Sequence, residues 1–293
     1  MDWPENVNDS SPIVLLLHGL QGSIRSGYIR GLFHACEKEG LTPAVMHFRG
    51  CGGKPNRKPR AYHSGDTGDF AEFITALQRR FPRRPICALG VSLGGNALLK
   101  WLGETGNENP LTCAVAISVP FDLDAAGVKL ESGLSRIYQY YLIRSLKKAA
   151  QRKMEAGFAI EGLTPEKLSG LKTFRHFDDH VTAPLHQFEN ADDYYRKCSS
   201  WRFLKRIGRP TLILHAADDP FLPASAIPSE ESLSEWIRME ISDSGGHGGF
   251  VEGSTPFSAR FWIETRALCF IRQHLESKVS CETSRDQTSD RIA

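Results

Sequence analysis

Three stretches of this chain hold residue types that can do chemistry together. In "ALGVSLGGNA" one serine, Ser92, stands between Gly90 and the pair Gly94 and Gly95. In "HAADDPFLP" two carboxylates, Asp218 and Asp219, follow an apolar run. In "SDSGGHGGF" His247 is flanked by Gly245, Gly246, Gly248 and Gly249. A serine hydroxyl is a weak nucleophile until a base takes its proton. An imidazole held in one tautomer by a carboxylate is such a base. The order serine, acid, histidine along the chain is one in which this set recurs. The chemistry would be acyl transfer, with Ser92 attacking a carbonyl and His247 carrying the proton.

The pattern Gly90-Val91-Ser92-Leu93-Gly94 is GxSxG between an apolar, strand-like run and a helix-like pattern. In that context the serine sits on a sharp, strained strand-to-helix turn. Side chains two positions before and after it would collide with neighbouring elements, and Gly90 and Gly94 supply clearance. Gly95 lets the helix approach the sheet. A phosphate loop is the bland competitor, but the Lys-Ser/Thr of that motif is missing, as is GxGxxG. Asp219, four residues before Pro223, is the favoured acid; Asp218 is the alternative, and would otherwise brace the turn. Acyl transfer also needs donors for the developing oxyanion. "LLLHGLQGS" follows the first apolar run, so the backbone N–H groups of Leu20 and Leu93 are the candidates, with His18 supporting the loop. Two clusters have metal-ligand types: His63, Asp66 and Asp69, and then Asp178, Asp179, His180 and His186. Asp66 reads better as the N-cap of the following helix. The second cluster reads better as a polar network tying a helical insertion to the core. No metal is expected.

These residues must be positioned by elements around them. Short β-branched or leucine-rich runs read as buried strands at Ile13–Leu17, Ala44–Phe48, Ile86–Leu89, Cys113–Val119, Thr211–His215 and Trp236–Ile241. Between them, Phe70, Phe73, Ile74, Leu77 and Phe81 share one helix face, as do Ala97, Leu98, Trp101 and Leu102. Strands alternating with helices predict an α/β fold with a mostly parallel central sheet flanked by helices. The rhythm stops between Phe121 and Arg209, which reads as a helical cap inserted at about 121–209 into one domain spanning 1–276. Leu134–Met154 reads as a helix within it. The sequence "IYQYYLI" followed by "RSLKKAAQRK" could meet a membrane surface, but the tyrosines are expected to pack inside the insertion. Residues 277–293 are polar, without apolar periodicity, and read as a disordered tail.

Composition excludes other classes. The formal net charge is +2, and the basic cluster Lys54, Arg57, Lys58 and Arg60 reads as a solvated loop, so no nucleic-acid partner is implied. The seven scattered cysteines read as free thiols. No apolar run approaches the ~18 residues of a membrane span, leaving at most peripheral membrane contact. The polar start is no secretory signal, so a cytoplasmic location is the expectation. The oligomeric state is left open.

With the triad candidates come longer blocks: "LLLHGLQGS", "HFRGCGG", "AYHSGDTGDF", "GVSLGGNALLKWLGE", "VPFDL", "FDDHVTAPLHQF", "DYYRKCSS" and "LILHAADDPF". In these the chain resembles the YheT-like esterase family of the α/β-hydrolase superfamily. The resemblance implies hydrolysis of carboxylic esters, either short- or medium-chain acyl esters or lipid esters such as acylglycerols, without a cofactor. Related animal proteins act on acylglycerols and phospholipids. A thioesterase, acyltransferase or peptidase of the same fold, or a non-catalytic binding protein, is the alternative. Family members usually carry early antiparallel strands and an "HLQT"-type segment before the first shared strand. Here Pro12–Leu17 begins almost at once, so a shortened N-terminus is expected.

Overall fold

The apolar runs form the strands β1 (Ile13–Leu17), β2 (Thr42–Met46), β3 (Ile86–Val91), β4 (Ala114–Ile117), β5 (Thr211–Ala216) and β6 (Ile237–Ser242). The computed structural model describes residues 1–4, 10–53, 56–252 and 260–289. The strands pair in the order β2-β1-β3-β4-β5-β6. Every pairing is parallel. Every residue of β1 to β5 is buried, which is why these strands read as continuous apolar runs rather than alternating ones.

Strand period sorts the core into two layers. Ile13, Leu15 and Leu17 face Phe70, Ile74 and Leu77 of α2 (Gly68–Arg80) and Leu98 and Leu102 of α3 (Leu93–Thr105). Val14 and Leu16 face Ile29 and Leu32 of α1 (Gly27–Lys38) and Ala267 and Ile271 of α10 (Trp262–Ser289). Each fully buried aliphatic side chain is worth roughly 1.5–3 kcal/mol of burial. The outer edge of β2 is met by Asp2, which exchanges two backbone hydrogen bonds with Val45 (3.1 and 2.9 Å).

Two local expectations differ. Asp66 does not cap α2, which starts after Thr67 without a side-chain cap. Asp66 is buried and accepts two bonds from the Arg60 guanidinium (2.7 and 2.8 Å). A charge-assisted pair outweighs the single bond an N-cap would make. Arg60 thereby leaves the basic loop to pair with Asp66, Arg57 and Lys58 stay exposed, and Lys54 lies outside the described residues. The backbone of α10 continues helically to Ser289, through most of the stretch expected to lack structure; residues 290–293 lie outside the described residues. No glycine or proline interrupts the chain after Trp262, so the helix anchored by Ile263, Ala267 and Ile271 meets no breaker.

Between β4 and β5 the chain is helical: α4 (Leu123–Leu130), α5 (Ser135–Glu155), α6 (Pro165–Gly170), α7 (Phe174–Phe177), a π-helical turn at Asp178–Thr182, α8 (Ala183–His186) and α9 (Ala191–Cys198). This segment has an apolar cluster of its own, including Ile143, Ile160, Leu168 and Phe177. Polar side chains start its helices: Asp122 accepts from the amides of Asp124 and Ala125, and Asn190 from that of Asp193. The expected packing of the α5 tyrosines is wrong. Tyr138, Tyr140 and Tyr141 are 47%, 61% and 63% exposed, because the inward face of α5 is taken by Ser135, Gln139, Ile143 and Ala150.

The cysteines described, Cys36, Cys51, Cys87, Cys113, Cys198 and Cys269, are all free. No helix among the described residues is long and apolar enough to cross a membrane.

Candidate active site

Because the strands are parallel, the loops leaving β1, β3, β4, β5 and β6 emerge at one edge of the sheet. Ser92 is the first residue beyond β3 and the N-cap of α3, with φ 55° and ψ −120°. A non-glycine residue there stores of order 1–3 kcal/mol, held by its surroundings. Its amide donates to Ile117 O (2.8 Å) and its carbonyl accepts from the Asn96 amide (3.0 Å). A Cβ on Gly90 would stand 2.5 Å from Gly94 O, and one on Gly94 would stand 2.5 Å from Leu17 O. A Cβ on Gly95 would stand 2.7 Å from Val119 Cγ2. The three glycines therefore let β3, the first turn of α3 and the end of β1 meet around the serine.

His247 Nε2 lies 2.9 Å from Ser92 Oγ. Its Nδ1 lies 2.9 and 3.1 Å from the two carboxylate oxygens of Asp219. With Nδ1–H donating to the carboxylate, Nε2 is the free acceptor for the serine proton. Asp219 is buried just beyond β5, and one of its oxygens also accepts from the Phe221 amide (2.8 Å). Asp218 is exposed, and its carboxylate accepts from the Gly246 amide (2.8 Å), so it braces the histidine loop instead of its own turn.

Two residues that sequence reasoning missed fix the histidine further. The Phe221 ring stacks on the imidazole at 3.8 Å and 6°. Ser118, just after β4 at φ 49°, accepts from the Gly248 amide (3.0 Å). Phe221 stood in the quoted loop two residues after Asp219, whereas nothing in "AISVPFD" distinguishes Ser118 from an ordinary strand-end serine.

The loop after β1 lies against the serine: a Cβ on Gly19 would be 3.3 Å from Ser92 Cβ. The Gly19 amide donates to Tyr28 OH and the Gln21 amide to Tyr62 OH, each at 2.8 Å, and the Gly22 amide to Gly19 O. Among the described residues, this leaves the Leu20 amide as the one between 19 and 22 without a protein acceptor. Leu20 and Leu93 both line the space in front of Ser92. His18 is fully buried, with Nδ1 donating to Gly19 O (2.7 Å) and Nε2 accepting from the Phe48 amide (3.2 Å). Burial lowers its pKa to about 4, so it is neutral and shapes the loop.

A cavity of about 730 Å³ extends from Ser92 and His247 under the helical segment. Its walls are mainly apolar, including Leu123, Leu142, Leu146, Phe174 and Val181. Arg49, Lys153 and His186 supply polar groups to the lining. Burial, then Arg49, lowers the Lys153 pKa; its ammonium donates to Lys58 O (2.8 Å). Burial also lowers His186 to about 4 and His63 to about 3, leaving both neutral.

The metal-like clusters do not converge. Asp66 and Asp69 are bound to Arg60 and Arg49, while His63 packs edge-on against His186, Phe188 and Tyr194. No group of three or more metal-ligating side chains occurs among the described residues. The two aspartates of the second cluster tie the helical segment to itself, Asp178 accepting from Thr182 and from Tyr195 OH and Asp179 from the Ala191 amide, while its His186 meets the core side through the His63 ring (4.6 Å). Further contacts to the core are hydrogen bonds. Tyr194 OH accepts from the Ser64 amide, Asn96 donates to Cys198 O, and Ser135 donates to Pro220 O.

Comparison with known proteins gives the family and the fold. The family model described as alpha/beta hydrolase fold matches residues 12–254. The Escherichia coli (strain K12) protein named "Putative esterase YheT" is 43% identical over 281 residues, covering 95% of this chain and 82% of that protein. The Mus musculus protein named phospholipase ABHD3 is 34% identical over 265 residues, covering 87% of this chain; the chain spans only 64% of its length. Among solved structures, the Pyrococcus furiosus esterase Pf2001 superposes with a TM-score of 0.59 at 17% identity, covering 93% of this chain and 84% of that one, a likeness of fold.

Proposed function

We propose, from the premise that this chain belongs to the α/β-hydrolase family and is a YheT-like member of it, that it hydrolyses carboxylic esters through an acyl-enzyme on Ser92. The observation that carries the reading is the run of contacts from Ser92 Oγ to His247 Nε2 (2.9 Å) and from Nδ1 to the buried Asp219 (2.9 Å). His247 takes the hydroxyl proton as Ser92 attacks the ester carbonyl. The amides of Leu20 and Leu93 stabilise the tetrahedral oxyanion, an effect worth about 10²–10³ in rate per donor. His247 returns the proton to the departing alcohol, and the same base then activates water to release the acid. The relatives' names, an esterase and a phospholipase, favour esters over peptides. The apolar cavity beneath α5 suits the acyl chain of a medium-chain or lipid ester, with the helical segment acting as the cap that selects it.

A fluorophosphonate probe tests the reading. Labelling is expected on the wild type and absent in Ser92→Ala and His247→Ala; a folded wild type that takes no label overturns it. Profiling p-nitrophenyl esters by chain length then reads the cavity, with a preference for thioesters or peptides counting against the ester assignment.

A further inference from the structure

Helix α5 carries two unlike faces. Its buried stripe is Ser135, Gln139, Ile143 and Ala150, and Leu142 and Leu146 line the cavity. Its outer stripe begins with Leu134, Ile137, Tyr138 and Tyr141, at 80%, 55%, 47% and 63% exposure, flanked by Tyr140 at 61%. These positions follow the i, i+3, i+4, i+7 spacing of one helix face. The stripe runs on through Arg144 and Lys148, both exposed. Between Ser132 and Met154 the chain holds six cations and no carboxylate, with Glu131 and Glu155 just outside; Lys147 and Lys153 turn to the carbonyls of Ser169, Leu171 and Lys58, and Arg136, Arg144, Lys148 and Arg152 are exposed. A single exposed tyrosine needs no explanation, but five large apolar or aromatic residues within two turns do.

We infer that this outer face of α5 docks on an anionic phospholipid surface. An amphipathic helix lying in the head-group plane needs an apolar face, rings with a polar tip, and cations for the phosphates. Tyrosine provides a ring for the acyl boundary and a hydroxyl for water, and Arg144 and Lys148 meet the head groups one to two turns further on. The charge pattern selects this occupant over a second copy of the chain, because a second stripe brings the same cations and no carboxylate between Ser132 and Met154 to neutralise them, whereas lipid phosphates do. The patch also adjoins the site. The Tyr138 ring lies 5.2 Å from that of Phe221, which stacks at 3.8 Å on His247. An ester drawn from the docked surface would therefore reach the cavity past one aromatic layer. The inference goes beyond ester hydrolysis, and its test is read on an inactive chain so that the two stand or fall separately.

The full-length Ser92→Ala protein is sedimented with vesicles of phosphatidylcholine, with and without phosphatidylserine. Binding is expected to the mixed vesicles and about tenfold or more weaker to phosphatidylcholine alone, and likewise about tenfold weaker for Arg144→Glu/Lys148→Glu and for Ile137→Ser/Tyr140→Ser/Tyr141→Ser. With Ser92 restored, both sets of substitutions should leave turnover of a water-soluble p-nitrophenyl ester within about twofold, because none of these side chains lines the cavity. A parent protein that binds neither vesicle, or binding that both variants retain, overturns the inference. A dimer in light scattering that these substitutions split would also overturn it, by giving the face to self-association.

Discussion

Asp218 and Asp219 are chemically identical neighbours, yet only one reaches the imidazole. Asp219 is buried against His247 Nδ1, whereas Asp218 is exposed and holds the Gly246 amide. Asp219→Asn is expected to lower kcat by about 10⁴, because the amide favours the wrong tautomer. Asp218→Asn removes only a screened charge near a loop amide and should cost about tenfold or less. Steady-state kinetics on a soluble ester separates the two, and equal losses would reverse the assignment. Asp178 gives a prediction about stability. It is buried with Thr182 and Tyr195, and burial raises its pKa from 3.8 to about 7. The folded state thus holds a proton that the unfolded chain releases. The resulting stabilisation is complete below about pH 4 and is lost as pH rises to about 7, a difference on the order of 4 kcal/mol. Urea denaturation at the two ends of that window should show the loss in wild type and a flatter profile in Asp178→Asn. Ser92 and His247 were legible because glycines mark them; Ser118 and Phe221 act through geometry that leaves no such mark.

At the scale of elements, the turn joining β3 to α3 is where packing is tightest. Gly94→Ala would drive a methyl group against the carbonyls of Leu17 and His18, backbone atoms that cannot rotate away. A loss of about 3 kcal/mol or more is expected, with probe labelling of Ser92 lost alongside. Gly170→Ala is the control: nothing lies within 4 Å of its Cβ position, and its φ is not positive, so stability should hold or rise by about 0.5 kcal/mol. Thermal melts of the two variants compare them directly. The strand readings landed within two residues of the observed limits, because buried parallel strands are short apolar runs with little else to be. The α5 tyrosines were misread for a physical reason. Helical periodicity shows that a face exists but not which face the rest of the molecule covers, and here Ile143 and Gln139 took the inside.

For the whole molecule, the parallel sheet gathers residues far apart in sequence at one edge, while the helical segment closes a cavity of about 730 Å³ over them. The cationic outer face of that segment makes the two kinds of substrate presentation separable. Turnover of an ester embedded in anionic vesicles should fall as salt is raised, since exposed charges are screened beyond about 8 Å at 0.15 M. Turnover of a soluble ester should hold steady in the same series. The sequence by itself determined the α/β layering, the serine turn and the identity of its histidine, because strand burial, glycine at crowded turns and the order of the motifs are local properties written in residue type. Only the tertiary structure decided which aspartate meets the imidazole, that Asp66 serves Arg60, and that the tyrosines of α5 face outward. Each of those outcomes is a competition between partners distant in the chain, settled by which one the fold brings within a few ångströms.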